Sequence, residues 1–224
     1  MLTNIQILKT KDGSFTLLHP QLDETYHSIH GAIQESVHIY INAGLKYHLD
    51  TSLSREIPNI LEIGFGTGLN ILLTIQYLRM KEQGFFIHSI EKFPVHDDVC
   101  KQLNYGKLLN ENTLFETLHN VKWNENIALS DDETFLKEKS DLLKFQCKHQ
   151  YDVVYFDAFS PEKQAKLWTI EVFRKLYECM RSGAVLTTYS AKGKVRRNMQ
   201  LAGFSVERIP GPPGKREMLR AVKY

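Results

Sequence analysis

The stretch Ile60-Leu-Glu-Ile-Gly-Phe-Gly-Thr-Gly-Leu-Asn70 constrains the fold more than any other part of the chain. Ile60 to Ile63 reads as a short apolar strand. Gly64, Gly66 and Gly68 then turn the backbone, and the run Leu69 to Leu78 follows with Leu69, Leu72, Leu73, Gln76 and Tyr77 at helical spacing. Strand, glycine turn and helix in succession build a nucleotide-binding crevice at the C-terminal edge of a parallel sheet. Glycines suit that turn because no Cβ stands between backbone and ligand. The spacing narrows the ligand further. A dinucleotide fingerprint is G-x-G-x-x-G, whereas here Leu69 stands where the third glycine would be. The loop is therefore a poor pyrophosphate clamp. Glu62, just ahead of the turn, is awkward for an anion and suits a ligand with an ammonium or sulfonium group.

The chain of 224 residues is long enough for one α/β domain with a proper core, read as an N-terminal extension over 1–50 and a core over 51–224. Hydrophobic residues make up 42%, which argues against disorder, and no apolar run approaches the ~20 residues that span a bilayer. The first ten residues lack a basic start and a small-residue cleavage site. Cys100, Cys147 and Cys179 form no C-x-x-C pair, so neither a disulfide framework nor a zinc knuckle is expected, and a reduced, cytoplasmic setting follows. A net charge of +2 confines any nucleic-acid surface to a local basic patch. His27, His30 and His38 lack the carboxylate or cysteine that would complete a metal set; they read as surface or capping residues, and no metal is expected.

Along the chain, residues 1–19 read as a hairpin turning at Lys11-Asp-Gly13, and a helix is expected from about Ile29 to Ala43 with Gly44 as its stop. After a polar linker over 50–58 comes the glycine unit. A second strand, Phe85 to Ile90, delivers Glu91 about 20 residues past the turn, where an acid in this architecture binds ribose hydroxyls; the alternative is an exposed acid paired with Lys92. Residues 123–132 are polar and resist assignment. Glu133 to Ser140 is read as a strand that places Asp141 to accept from an adenine amino group, although Leu142 to Phe145 reads equally well as helix. Tyr151-Asp-Val-Val-Tyr-Phe156 fits a buried parallel strand and carries Asp157 to the same edge as the glycine loop. A buried acid needs a partner, and a substrate amine is one; the alternative is that Asp157 caps a following helix. That helix is expected over 162–180, then a strand over 184–189, a helix opened by Lys192 and ending at Gly203, and two strands joined at Gly211-Pro-Pro-Gly214.

The glycine stretch, read as E-x-G-x-G-x-G, resembles the first motif of class I S-adenosylmethionine-dependent methyltransferases. With Glu91-Lys-Phe-Pro94, Asp157-Ala-Phe-Ser-Pro161, Trp168 and Gly211-Pro-Pro-Gly-Lys-Arg-Glu-Met218, the chain resembles the MnmC/MnmD family of tRNA 5-aminomethyl-2-thiouridine methyltransferases. Asp12-Gly-Ser14 and Asp23 to Ser28 look like that family's N-terminal region. The resemblance implies a Rossmann-like fold: a mostly parallel sheet with an antiparallel C-terminal edge strand and a small hairpin and helix extension. It implies S-adenosyl-L-methionine as cofactor and tRNA, at its anticodon stem-loop, as partner. It also implies the stand-alone type without a flavin oxidase, methylating the aminomethyl group on wobble uridine 34.

On this reading Glu62, Gly64, Gly66, Gly68, Asn70, Glu91, Lys92, Asp141 and Asp157 face the cofactor, and Asp157 also orients the amine and helps remove its proton. Tyr26, Phe159, Trp168 and Tyr189 are candidates to stack the flipped uridine, with core packing as the alternative, and Ser28 stands with them on the substrate side. Lys192, Lys194, Arg196, Arg197, Lys215 and Arg216 are candidates for tRNA phosphates, with a solvated face as the alternative and Glu217 as a possible partner of one arginine. Two other readings stay open: methylation or aminopropyl transfer to a small-molecule amine, and a non-catalytic RNA-binding module.

Overall fold

The computed structural model describes residues 5–52, 54 and 56–224. Residues 1–4 of the expected hairpin and residues 53 and 55 of the expected linker lie outside them. Strands β1 (Gln6–Lys9), β2 (Phe15–His19) and β3 (Glu24–Thr25) form a small antiparallel sheet, β3 adding a third strand to the expected hairpin. A continuous helical stretch follows: α1 (Ala32–Ser36), a π-helical segment (Val37–Lys46) and α2 (Tyr47–Thr51). Gly44 does not stop it. A Cβ there would stand 3.1 Å from Thr187 Oγ1 and 3.4 Å from Tyr155 Cε1, so the glycine lets the helix lie close on the sheet. Apolar residues of this helix, including Ile39, Tyr40 and Leu45, share one core cluster with Ile60, Leu72 and Tyr155.

The large sheet comprises β4 (Asn59–Ile63), β5 (Phe85–Glu91), β6 (Asn126–Ala128), β7 (Glu133–Lys139), β8 (Tyr151–Phe156), β9 (Met180–Thr188), β10 (Ser205–Pro210) and β11 (Glu217–Val222). Its order is β10-β11-β9-β8-β4-β5-β7-β6. The five strands from β9 to β7 are parallel; β6 and β11 run antiparallel to their neighbours. The antiparallel C-terminal strand lies one place in from the edge, because β10 pairs on its outer side. Asn126-Ile-Ala128 pairs as the opposite edge, a strand too short for alternation to carry much signal.

Helices α3 (Leu69–Met80), α4 (Asp97–Cys100), α5 (Tyr105–Leu108), α6 (Asn112–Asn120), α7 (Ile170–Cys179) and α8 (Gly193–Leu201) complete the layers. Helix α3 buries residues around most of its circumference, between the sheet and the N-terminal elements. The helix expected over 162–180 is two pieces, a 3₁₀ turn at Ala165–Trp168 and α7, broken where Thr169 turns extended. Cys147 and Cys179 are paired as a disulfide, where none was expected. The loop after β7 is drawn onto α7, with Lys175 Nζ donating to the carbonyls of Leu142 and Leu143 at 3.0 Å each. Among the described residues no helix is long and apolar enough to cross a membrane.

One feature of this topology places the site. From β4 the chain moves to β5 and β7 on one side, then returns to β8 and β9 on the other. The C-terminal ends of β4 and β8 therefore bound the crevice where the winding reverses.

Candidate active site at the switch point

The two strand ends are fastened to each other. Ile63 and Phe156 are in register, the Asp157 amide donates to the Ile63 carbonyl at 3.1 Å, and the Gly64 amide donates to the Ile90 carbonyl at 2.8 Å. Gly64, Gly66 and Gly68 have φ of 95°, 50° and 75°, a left-handed region that favours glycine. A Cβ on Gly64 would stand 2.8 Å from the Asp157 carbonyl oxygen, and one on Gly66 would stand 3.1 Å from the Tyr26 ring. A cavity of about 970 Å³ opens over this loop, lined by Gly64, Gly66, Asn70, Glu91, Lys92, Asp141 and Asp157 on one side. Tyr26, Ser28, Phe159, Tyr189 and Lys215 line it on the other.

At the end of β5, Glu91 accepts from the Gly66 amide at 3.1 Å and the Phe93 amide at 2.7 Å. Burial raises its pKa, against the pull of those amides. Lys92 pairs with Asp141 at 2.8 Å, and this bond holds the Asp141 carboxyl below its ordinary value.

Asp157 sits at the centre. Tyr40 donates its hydroxyl to Oδ1 at 2.5 Å, and Asn70 Nδ2 donates to Oδ2 at 2.8 Å. Burial pushes its pKa up to about 6, while the two donors act to lower it. Tyr40 reaches it from the π-helical segment, a local widening of the helix often found at functional sites. The residues after Asp157 are held one by one. The Ala158 carbonyl accepts from the Tyr189 hydroxyl at 2.9 Å, and the Phe159 carbonyl accepts from Trp168 Nε1 at 2.9 Å. Ser160 donates its hydroxyl to Glu24 Oε2 at 2.8 Å. Strand β3 thereby ties the N-terminal sheet to the shelf beside Asp157. Tyr26, Phe159 and His19 pack edge to face above it, with the Tyr26 and Phe159 rings 5.0 Å apart.

Several expected site residues lie elsewhere. Glu62 is wholly buried on β4 and Gly68 is buried behind the loop, so neither lines the cavity. Trp168 is core, packed against Phe156 at 4.8 Å, and supports Phe159 from behind. Lys215 is half-buried. It enters the cavity, donates to Glu35 Oε1 at 2.8 Å and stands 4.1 Å from the centre of the Tyr189 ring. Lys192 pairs with Glu162, and Glu217 pairs with Arg208 at 3.6 Å, not with the arginines considered for it. Arg196 is half-buried; Lys194, Arg197 and Arg216 are exposed, and all four lie outside the cavity wall. The three histidines are dispersed. His27 is buried against Thr67 Oγ1 at 2.7 Å, His30 packs on Gly214, and His38 meets the Pro210 carbonyl at 2.8 Å.

Tyr40 and Glu35 are the residues that sequence reasoning missed. Glu35 lines the cavity and also accepts from the Ser28 amide at 2.7 Å. Both sit on a helix whose pattern reads as ordinary core, more than 100 residues from Asp157, and no spacing in the sequence announces them.

The model of a family of S-adenosyl-L-methionine-dependent methyltransferases matches residues 106–224, more than half of the chain. The chain belongs to this family. Its cofactor is S-adenosyl-L-methionine, and the cavity fits it, with a glycine cradle that any Cβ would obstruct and the half-buried Glu91 carboxylate one strand away. The chain is 33% identical, over 230 residues, to the tRNA 5-methylaminomethyl-2-thiouridine biosynthesis bifunctional protein MnmC of Cupriavidus metallidurans, a match covering 93% of this chain and 32% of that protein. The chain thus spans about a third of that relative's length. It superposes on the crystal structure of MNMC2 from Aquifex aeolicus with a TM-score of 0.77 and 26% identity, covering 98% of this chain and 70% of the other. Spermidine synthase from Thermotoga maritima has a TM-score of 0.55 at 13% identity, over 98% of this chain and 72% of the other, a likeness of fold alone.

Proposed function

We propose that this methyltransferase acts on the primary amine of 5-aminomethyl-(2-thio)uridine at wobble position 34 of tRNA, giving the 5-methylaminomethyl form. The observation that carries the reading is a half-buried aspartate at the end of β8, held by two donors and sharing one cavity with the glycine loop. The methylaminomethyl group named for the relative from Cupriavidus metallidurans points to the amine. Bound S-adenosyl-L-methionine supplies a sulfonium methyl group, and every other task falls to the chain.

The amine must be uncharged to attack. An alkylammonium has a pKa of about 10 by analogy with lysine, so the site must remove a proton and hold the nitrogen in line. Asp157, with a pKa near 6, is a stronger base than an exposed aspartate and still ionised at neutral pH. Its two fixed donors leave its remaining lone pairs for the amine. Glu91 takes the ribose hydroxyls, and Gly64 and Gly66 let the backbone approach closely. Phe159, Tyr26 and Tyr189 receive the flipped base, with Ser28 beside them. Exposed Lys194, Arg197 and Arg216, with Lys163 and Lys166 at the cavity mouth, meet the RNA backbone. Residues 1–50 and 51–224 work as one unit, because β3 and the π-helical segment complete the acceptor side.

The test is methyl transfer from labelled S-adenosyl-L-methionine to tRNA carrying 5-aminomethyluridine at position 34, with nucleoside analysis. Formation of 5-methylaminomethyluridine supports the reading. Transfer to free small amines in the absence of RNA, with none to the tRNA, overturns it.

A further inference from the structure

Two buried oxygens beside Asp157 have no hydrogen-bond partner among the described residues: Glu62 Oε1 and Asn70 Oδ1. Glu62 is 0% exposed, and its other oxygen accepts from the Ser89 hydroxyl. Asn70 stands in the first turn of α3, and its side chain lies next to the Glu62 carboxyl. Both orphan atoms are acceptors when Glu62 is ionised. A buried acceptor without a donor costs as much as a broken hydrogen bond, and a buried charge without a counter-ion costs more.

Among the described residues no counter-ion is at hand. The groups that act on Glu62 are the Ser89 hydroxyl and Glu91 from β5, the Asn70 amide from α3 and Asp157 from the end of β8. The two charged groups among them are both acids. Burial first, and then Asp157 and Glu91, raise its pKa well above the ordinary carboxylate value, against the hydrogen bonds of Ser89 and Asn70, which lower it. A proton on Oε1 would remove the charge and supply the missing donor together.

We propose that Glu62 is a neutral carboxylic acid that positions Asp157 through Asn70: Oε1–H donates to Asn70 Oδ1, which turns the amide nitrogen onto Asp157 Oδ2. Glu62 is then a positioning residue and not a ligand of the cofactor's ammonium or sulfonium group. The bonded series runs from Ser89 through Glu62 and Asn70 to Asp157, and each member has one role. Without the proton, only the Asp157 carboxylate itself holds the amide nitrogen toward it, and Asn70 Oδ1 is left without a donor. The proposal rests on the functional reading above only in taking Asp157 to be the group that receives the amine.

Two variants and one spectrum test it. Glu62→Gln keeps a donor for Asn70 and an acceptor for Ser89; Glu62→Ala keeps neither. At neutral pH, the infrared difference spectrum of ligand-free wild type against Glu62→Gln is expected to contain the carbonyl stretch of a protonated carboxylic acid. S-adenosyl-L-methionine affinity by calorimetry is expected to change less than about threefold in Glu62→Gln. Glu62→Ala is expected to lose about tenfold or more in kcat, and Glu62→Gln to recover most of it. A tenfold or greater loss of cofactor affinity in Glu62→Gln, or an infrared difference showing only loss of carboxylate bands, overturns the proposal. The spectrum and the calorimetry decide it without an RNA substrate, so failure of the tRNA reading registers separately. They also decide it should Glu62→Ala not fold.

Discussion

Replacing Tyr40 with Phe removes one hydrogen bond from Asp157 and little else, because the ring keeps its packing 5.1 Å from Tyr155. Burial sets the Asp157 pKa near 6, and the Tyr40 hydroxyl at 2.5 Å is the first of two donors that keep it from rising further. A hydrogen bond to a charged group is worth ~1.5–3 kcal/mol, and one pKa unit corresponds to about 1.4 kcal/mol. Losing the phenol therefore raises the Asp157 pKa by roughly one to two units. In wild type the carboxylate is mostly ionised at neutral pH; in Tyr40→Phe half or more of it is protonated. The assay is the pH dependence of kcat/KM for methyl transfer to the tRNA substrate, whose acid limb reports the base of the free enzyme. The limb is expected to move to higher pH by that amount, with activity largely recovered under alkaline conditions. Carbon-13 NMR titration of labelled aspartate checks the same shift without turnover. An acid limb that stays in place, or moves to lower pH, refutes the reasoning.

Three further outcomes follow from the same geometry. The Asp157 pKa is raised on folding, so its contribution to stability is present below the unfolded value of ~3.9 and is lost as pH rises through about 6. Asp157→Asn is expected to stabilise the protein at neutral pH by at most roughly 3 kcal/mol, with the gain vanishing in acid, as checked by denaturant unfolding at both pH values. Gly66→Ala places a methyl group 3.1 Å from the Tyr26 ring at a φ of 50°, and is expected to abolish measurable cofactor binding while circular dichroism reports an intact fold. Lys215→Met leaves the buried Glu35 without its cation and is expected to lower Tm, whereas Arg216→Ala is expected to leave Tm unchanged and to reduce the salt slope of tRNA binding by about one.

The sequence by itself determined the strand, glycine turn and helix at 60–78, the acid ending β5 and the apolar strand ending at Asp157. Each is a local pattern: the period of the side chains sets the element, and chain direction sets which residue stands at its C-terminal end. The N-terminal hairpin and the two closing strands were legible for the same reason. Tertiary structure decided the rest. Gly44 reads as a helix stop, yet it marks where a helix approaches Thr187 and Tyr155. Lys215 and Arg216 are indistinguishable as charges in a sequence, but only Lys215 turns into the cavity to meet Glu35. Trp168 and Phe159 both read as stacking surfaces, and packing sends one to the core and the other to the cavity. Glu62 reads as a ligand for a cation because it precedes the glycines, although β4 is covered on both faces and leaves it no path to the cavity. The Tyr40 bond to Asp157 spans 117 positions and arises only when the π-helical segment lies across the sheet. Local periodicity carries the elements and their ends; the identity of a side chain's partner depends on burial and on which distant segment packs against it, and no short pattern encodes that.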